Sequence, residues 1–224
     1  MINCPSPNFD VRAQAVSMIV LHYTGMESGD AANAWLANPA SKVSAHYVVA
    51  EDGQVVRMVD EGVRAWHAGR SSWRGITDVN SASVGIEIVN PGHEFGYRAF
   101  PDEQVAALIP LVSSIKERHG IGRGNVVGHS DIAPARKEDP GELFPWDALA
   151  DRRLALPSPT RDLLDPFWTD AGFLLALERF GYDVSDTQKA VIAFQRRFRP
   201  DLVDGIIDGE CRAKLLALLL PRPQ

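Results

Sequence analysis

The chain has only two cysteines, Cys4 and Cys211, near opposite ends of its 224 residues. Thiols so far apart make no disulfide framework and read as two unremarkable side chains. No segment approaches the roughly 18 apolar residues of a membrane span. Positive charge is not in excess: 23 Lys and Arg stand against 29 Asp and Glu, for a net −6. This argues against nucleic acid as the main ligand, because phosphate binding wants clustered excess positive charge. A polar, sugar-containing or peptidic ligand stays open. The opening "MINCPSPNFDVRA" has neither a basic n-region nor an apolar h-region, and Cys4 lacks the apolar stretch that precedes a lipidated cysteine. The expectation is a cytoplasmic protein, or a periplasmic one if a leader has been removed. There is no internal repeat and no low-complexity segment. The rest is ordinary for a globular chain: 45% hydrophobic and 23% charged, with length for one sizeable domain or a medium one plus a small one.

Several short apolar runs read as strands. "SMIVLHYTG" (Ser17–Gly25) is a buried strand carrying His22 at its C-terminal end. "AHYVVAEDGQVVRMV" (Ala45–Val59) is two β-branched runs around Asp52-Gly53, a hairpin signal. "SVGIEIVN" (Ser83–Asn90) is a strand with Gly85 inside it and Glu87 near its end, and "NVVGHS" (Asn125–Ser130) is another. Helices are expected over Asp30–Asn38, stopped by Pro39, and over Pro101–Gly120, bent at Pro110. The pattern predicts an α/β fold, a mixed central sheet flanked by helices, over residues 1–153. A proline-rich linker follows at 154–166. Three helical stretches, about Pro166–Phe180, Asp186–Arg199 and Asp208–Leu220, then predict a small three-helix domain over 167–224.

The stretch "GHSDIAPARKEDPG" (Gly128–Gly141) reads as a loop loaded with chemistry. His22 and His129 sit at strand ends, and Asp139 lies ten residues beyond His129. Two imidazoles and a carboxylate can form an open catalytic zinc site, with a fourth position left for water, although such a trio is common in any chain of this length. Pro134 and Pro140 stiffen the segment. Lys137 lies two residues before Asp139, so in an extended loop both project the same way. An ammonium there can stabilise an oxyanion, or it is a solvated loop charge. Glu87 sits in an otherwise apolar strand, where a carboxylate is costly unless paired or functional. It is a candidate general base, with a structural salt bridge as the alternative.

The motifs "IVLHYTGM", "SAHYVVAEDGQVVRMVDEGVRAWHAG", "SVGIEIVNPG" and "VVGHSDIAPARKEDPG" together resemble the zinc-dependent N-acetylmuramoyl-L-alanine amidases. That family shares its fold with the peptidoglycan recognition proteins. The resemblance runs in order through about residues 5–150. It implies that His22, His129 and Asp139 bind Zn2+, that Glu87 is the catalytic acid/base, and that Lys137 stabilises the oxyanion. Some relatives carry a tyrosine just before the position of His46; Ala45 stands there, which implies the glutamate-using branch. "RAWHAG" looks like a substrate-binding loop. Within it Trp66 would stack on substrate or serve as a core aromatic, His67 would donate a hydrogen bond, and Ala68 would line the site. Asn90 and Arg136 are expected to meet peptide carboxylates. His46 is expected to pack, and His93 and His119 to lie on the surface. The segment "AVIAFQRRFRPDLVDGIIDGECRAKLLALL" resembles a small peptidoglycan-binding helical domain, though it departs from that pattern around Glu210–Arg212. The implied activity is hydrolysis of the amide between N-acetylmuramic acid, in its 1,6-anhydro form, and L-Ala of stem peptides, in peptidoglycan recycling. The implied partners are peptidoglycan fragments or muropeptides, bound by a monomer. The competing readings are a wall-remodelling amidase acting on polymer, a non-catalytic peptidoglycan sensor, and a zinc peptidase cutting within the stem.

Overall fold

The computed structural model describes residues 1–161 and 163–220. Asp162, in the expected linker, and residues 221–224, at the end of the expected helical domain, lie outside the described residues. The strands are β1 (Ile2–Asn3), β2 (Phe9–Val11), β3 (Met18–Tyr23), β4 (Tyr47–Val49), β5 (Val55–Arg57), β6 (Val63–Ala65), β7 (Ser83–Ile88) and β8 (Val126–Gly128). The helices are α1 (Gly29–Leu36), α2 (Val79–Ala82), α3 (Gly92–Phe95), α4 (Asp102–His119), α5 (His129–Ile132), α6 (Trp146–Asp151), α7 (Asp170–Phe180), α8 (Thr187–Phe198) and α9 (Gly209–Leu219). No helix among the described residues is long and apolar enough to cross a membrane.

Six strands form a mixed sheet in the order β1-β5-β4-β7-β3-β8, as the pattern of strands and helices predicts. Within this sheet, among the described residues, only β4 and β5 pair antiparallel, across the Asp52-Gly53 turn, while β2 and β6 form a separate antiparallel pair. Gly53 takes φ +80, and a Cβ there would meet the Glu103 carbonyl at 2.8 Å, so the turn needs glycine for conformation and for space. β3 runs parallel between β7 and β8 and is buried on both faces, which is why it reads as a continuous apolar run. Ile19 and Leu21 face α4 and α6 in one apolar cluster. Met18 and Val20 face the other way. α4 continues through Pro110.

Met18 and Val20 belong to a cluster that joins the sheet to the C-terminal helices. Trp73, Ile132 and Val127 pack there with Phe173, Leu177, Tyr182 and Phe194. The helical segment is therefore welded to the sheet by one shared core. Each of its helices starts on a side-chain cap: Thr169, Asp186 and Asp208 accept from the backbone of Gly172, Lys189 and Cys211. Gln195, from the "FQ" motif, is fully buried and spends its amide on Asp204, Ile206 and Gly205, closing the turn before α9.

Candidate active site

The site lies at the C-terminal ends of the parallel strands, where ligands bind in open α/β sheets. Parallel register sets His22 of β3 directly beside Glu87 of β7. His129 follows β8 immediately. The loop expected from Gly128 to Gly141 instead opens with one helical turn, α5, before running to Asp139. The turn forms because Asp131 reaches back to the Gly128 N–H at 2.7 Å.

Three ligand atoms converge. His22 Nδ1 and His129 Nδ1 are 2.9 Å apart, and Asp139 Oδ2 lies 3.1 Å from the first and 3.0 Å from the second. All three residues are buried. The other ring nitrogens decide what sits at this point. Ser83 Oγ donates to the Val79 carbonyl at 2.6 Å, so it accepts from His67 Nε2 at 3.1 Å. His67 Nδ1 is then a bare acceptor for His22 Nε2–H at 3.0 Å, which leaves the His22 Nδ1 lone pair aimed into the site. His129 Nε2 faces the Ala68 carbonyl at 3.1 Å and must carry its proton, so its Nδ1 is bare as well. Two lone pairs and a carboxylate within 3.1 Å repel one another unless a cation lies between them. Burial lowers His22 to about 4, so it stays neutral at neutral pH. The donor set fits a metal ion.

Glu87 Oε2 is buried and has no hydrogen-bond partner among the described residues. The salt bridge weighed for it is absent there. Burial, then the nearby Asp139 charge, pushes its carboxyl well above the usual range, with Lys137 opposing. Glu87, Lys137 and Trp66 line the cavity that holds the metal-site residues. Trp66 Nε1 donates to Asp10 at 2.7 Å.

The comparisons with known proteins agree with this geometry. The family model described as N-acetylmuramoyl-L-alanine amidase matches residues 12–142, and a peptidoglycan-binding domain model matches 169–215. The chain is 37% identical to N-acetylmuramoyl-L-alanine amidase AmiD of Escherichia coli, over 94% of this chain and 87% of the relative. The chain belongs to the N-acetylmuramoyl-L-alanine amidase family. It is also 32% identical to the 1,6-anhydro-N-acetylmuramyl-L-alanine amidase AmpD of Citrobacter freundii, over 71% of this chain and 92% of the relative. Among solved structures, AmiD of E. coli complexed with anhydro-N-acetylmuramic acid-L-Ala-D-gamma-Glu-L-Lys superposes with a TM-score of 0.82 at 36% identity, covering 94% of this chain and 91% of that one. AmpDh3 of Pseudomonas aeruginosa with anhydromuramic pentapeptide gives 0.81 at 33% identity, covering 91% of each.

In this amidase the residues expected to touch substrate divide. Trp66 lines the cavity. His67 lines it too, but both ring nitrogens are committed to His22 and Ser83, so it orients a metal-site histidine and has no hydrogen to give a ligand. Ala68 has no exposed surface; its carbonyl holds His129 and Arg136. Asn90 is buried, spending its side chain on the Arg98 carbonyl and the Gly92 N–H, so it shapes a loop. Arg136 is exposed beside His129 and bonds the Ala68 and Arg70 carbonyls. His46 packs as expected, its Nδ1 accepting from the Gly85 N–H at 2.9 Å. His93 and His119 pair with Glu142 and Glu61.

The readable signal for His67 was Gly85. A glycine inside a strand marks a close approach, and a Cβ at 85 would sit 2.4 Å from the His67 ring. Gly85→Ala is expected to displace that ring, cost about 1–3 kcal/mol of stability and weaken metal binding about 10- to 100-fold. Thermal melts and metal-competition titration check both parts; unchanged affinity would remove His67 from the support of His22.

The amidase's C-terminal helices reach the same loop. Tyr182 donates to Asp131 at 2.6 Å, and Asp131 holds Gly128. Arg196 bonds Glu138 at 3.3 Å and Glu142 at 3.2 Å, on either side of Asp139. Arg197 lies over Trp146, 3.5 Å from the ring centroid. Tyr182→Phe leaves a buried carboxylate short of a donor and is expected to cost about 1–3 kcal/mol. It is also expected to hasten metal loss to a chelator. Melting and chelator-driven release, both unmoved, would show that the bundle merely abuts the loop.

Proposed function

We propose that the chain hydrolyses the amide between the lactyl group of N-acetylmuramic acid, in the 1,6-anhydro form, and L-Ala of the stem peptide. The observation that carries this is the convergence of His22, His129 and Asp139 beside an unpartnered Glu87 Oε2. Residues 1–153 serve as the catalytic unit, and the described residues from 167 to 220 as a helical unit that supports the loop of His129 and Asp139 through the shared core.

His22, His129 and Asp139 would hold zinc, which when bound supplies a Lewis acid for the carbonyl and an acidified water. Glu87 takes the proton of the attacking water. The lactyl carbon gains that oxygen. Glu87 then returns the proton to the alanine nitrogen as the C–N bond breaks. The products are a lactyl carboxylate and a free peptide amine. Lys137 faces the oxygen on which negative charge develops. Trp66 offers a flat apolar surface at the cavity wall. The relatives named for anhydro-muramyl substrates support the anhydro form and a role in recycling.

Mass spectrometry of products tests the reading. Purified protein is given a defined anhydro-muropeptide and, separately, intact sacculi, each with and without chelator. Free stem peptide beginning at L-Ala, abolished by chelator and restored by zinc, is the expected result. Cleavage within the stem, or intact substrate with metal present, would overturn it. A faster rate on sacculi would replace recycling with wall remodelling.

A further inference from the structure

The supports of the two metal-site histidines come from adjacent residues of one loop. The His67 ring accepts from His22 Nε2–H, and the Ala68 carbonyl accepts from His129 Nε2–H. Such partners set the direction of a ligand only if they are themselves held. β6 ends at Ala65, so the amides of 67 and 68 lie beyond its ladder and need acceptors from elsewhere. Both find the same atom. Asn80 Oδ1 accepts from the His67 N–H at 3.1 Å and from the Ala68 N–H at 2.8 Å. Neither N–H has another partner among the described residues. His67, Ala68 and Asn80 are all buried. Two donors converging on one atom also fix the orientation of the amide, because an NH2 group in that place would satisfy neither.

Asn80 is anchored in turn. It lies in α2, a single turn capped at its start by Asp78, which accepts from the Ser81 N–H at 3.2 Å. Beyond it Arg12 Nη1 donates to the carbonyls of Asn80 at 3.1 Å and Ser83 at 3.0 Å. Ser83, the first residue of β7, also takes the His67 Nε2–H. The short stretch from 80 to 83 therefore grips His67 by its backbone and by its ring, and grips Ala68 by its backbone. Displacing the Ser83 contact would turn one ring. Displacing the Asn80 oxygen would move two consecutive residues, and with them the supports of both ligands.

We infer that Asn80 is a positioning residue: one buried amide oxygen sets the direction of both Nδ1 lone pairs at the metal site, that of His22 through the His67 ring and that of His129 through the Ala68 carbonyl. The inference rests on the zinc-amidase reading and deepens it.

The test compares the whole chain as wild type, Asn80→Ala, which removes the acceptor, and Asn80→Asp, which keeps an oxygen in its place. Zinc affinity is read by competition with a chromophoric chelator, below the melting temperature of each protein. Asn80→Ala is expected to bind zinc about 10- to 100-fold more weakly, and Asn80→Asp to recover most of that loss. Cobalt, substituted for zinc to saturation, reports ligand geometry at full occupancy. Its visible absorption should change in Asn80→Ala and return towards wild type in Asn80→Asp. A lower metal-free melting temperature with zinc affinity and cobalt spectrum unchanged means that Asn80 serves the fold alone, and overturns the inference. Zinc bound by Asn80→Asp as weakly as by Asn80→Ala overturns it too, because the acceptor is present. Where Asn80→Ala fails to fold, Asn80→Ser, with an oxygen on a shorter side chain, carries the comparison: weaker zinc binding supports the inference and wild-type affinity overturns it. Wild type that takes up no zinc overturns the amidase reading and this inference with it, whereas equal zinc binding by wild type and Asn80→Ala overturns the inference alone.

Discussion

Glu87→Gln is expected to lower kcat by about 10²- to 10⁴-fold while metal content stays at the wild-type level. The substitution keeps the shape of the side chain and removes its ability to take a proton. Glu87 stands beside His22 across the sheet but outside the converging ligand atoms, so the metal should not notice the change. Stability adds a second reading. Burial raises the Glu87 carboxyl well above its ordinary value. A carboxyl raised on folding loses stability as pH climbs through its unfolded value towards its folded one. At neutral pH, chelator-treated wild type therefore bears the cost of that raised carboxyl, and Glu87→Gln does not. The variant should melt no lower than wild type. A site residue whose removal leaves the fold as firm or firmer is one retained for chemistry. Wild-type turnover in this variant would sink the assigned role; loss of metal would show that Glu87 belongs to the ligand set.

The reasons Glu87 was legible in the sequence, and His67 was not, are physical. A carboxylate within "GIEIV" violates the local pattern and announces itself. Its place beside His22 could not be read, because β3 and β7 pair in parallel across some sixty residues of chain and register follows from packing. His67 lies in a loop rich in polar groups, where a histidine suggests contact with ligand. Its true partners, His22, Ser83 and Val79, come from β3, β7 and α2, and only the folded chain brings them together. The contacts of Ala68 and Asn90 were hidden for the same reason: they are made by a backbone carbonyl and by a buried amide. The three C-terminal helices were visible as helical stretches after the proline-rich linker. Their fusion to the sheet was not, since Trp73, Ile132, Tyr182 and Phe194 read as separate cores until one face covers the other. Trp35 falls within the helix expected over Asp30–Asn38, and its exposure appears only when α1 is seated.

Asp139→Ala is expected to abolish stoichiometric metal binding. Its Oδ2 is the one anionic donor among the three ligand atoms, and it faces both Nδ1 lone pairs at about 3 Å. Loss of a partner beyond the ligands costs about 10- to 100-fold in affinity; loss of the charged ligand itself should cost more. Two neutral imidazoles would remain, and they cannot balance a divalent cation in a buried site. The effect can be read without any turnover. A metal that binds only the folded state stabilises it by RT ln(1 + [L]/Kd), about 4.1 kcal/mol when the metal is at a thousand times Kd. Wild type should therefore melt higher as metal is added, and Asp139→Ala should not respond over the same range. Elemental analysis after dialysis gives the independent count. A variant that kept its metal and its metal-dependent melting shift would remove Asp139 from the ligand set, and the convergence of His22, His129 and Asp139 would then have to be explained as a buried hydrogen-bond network.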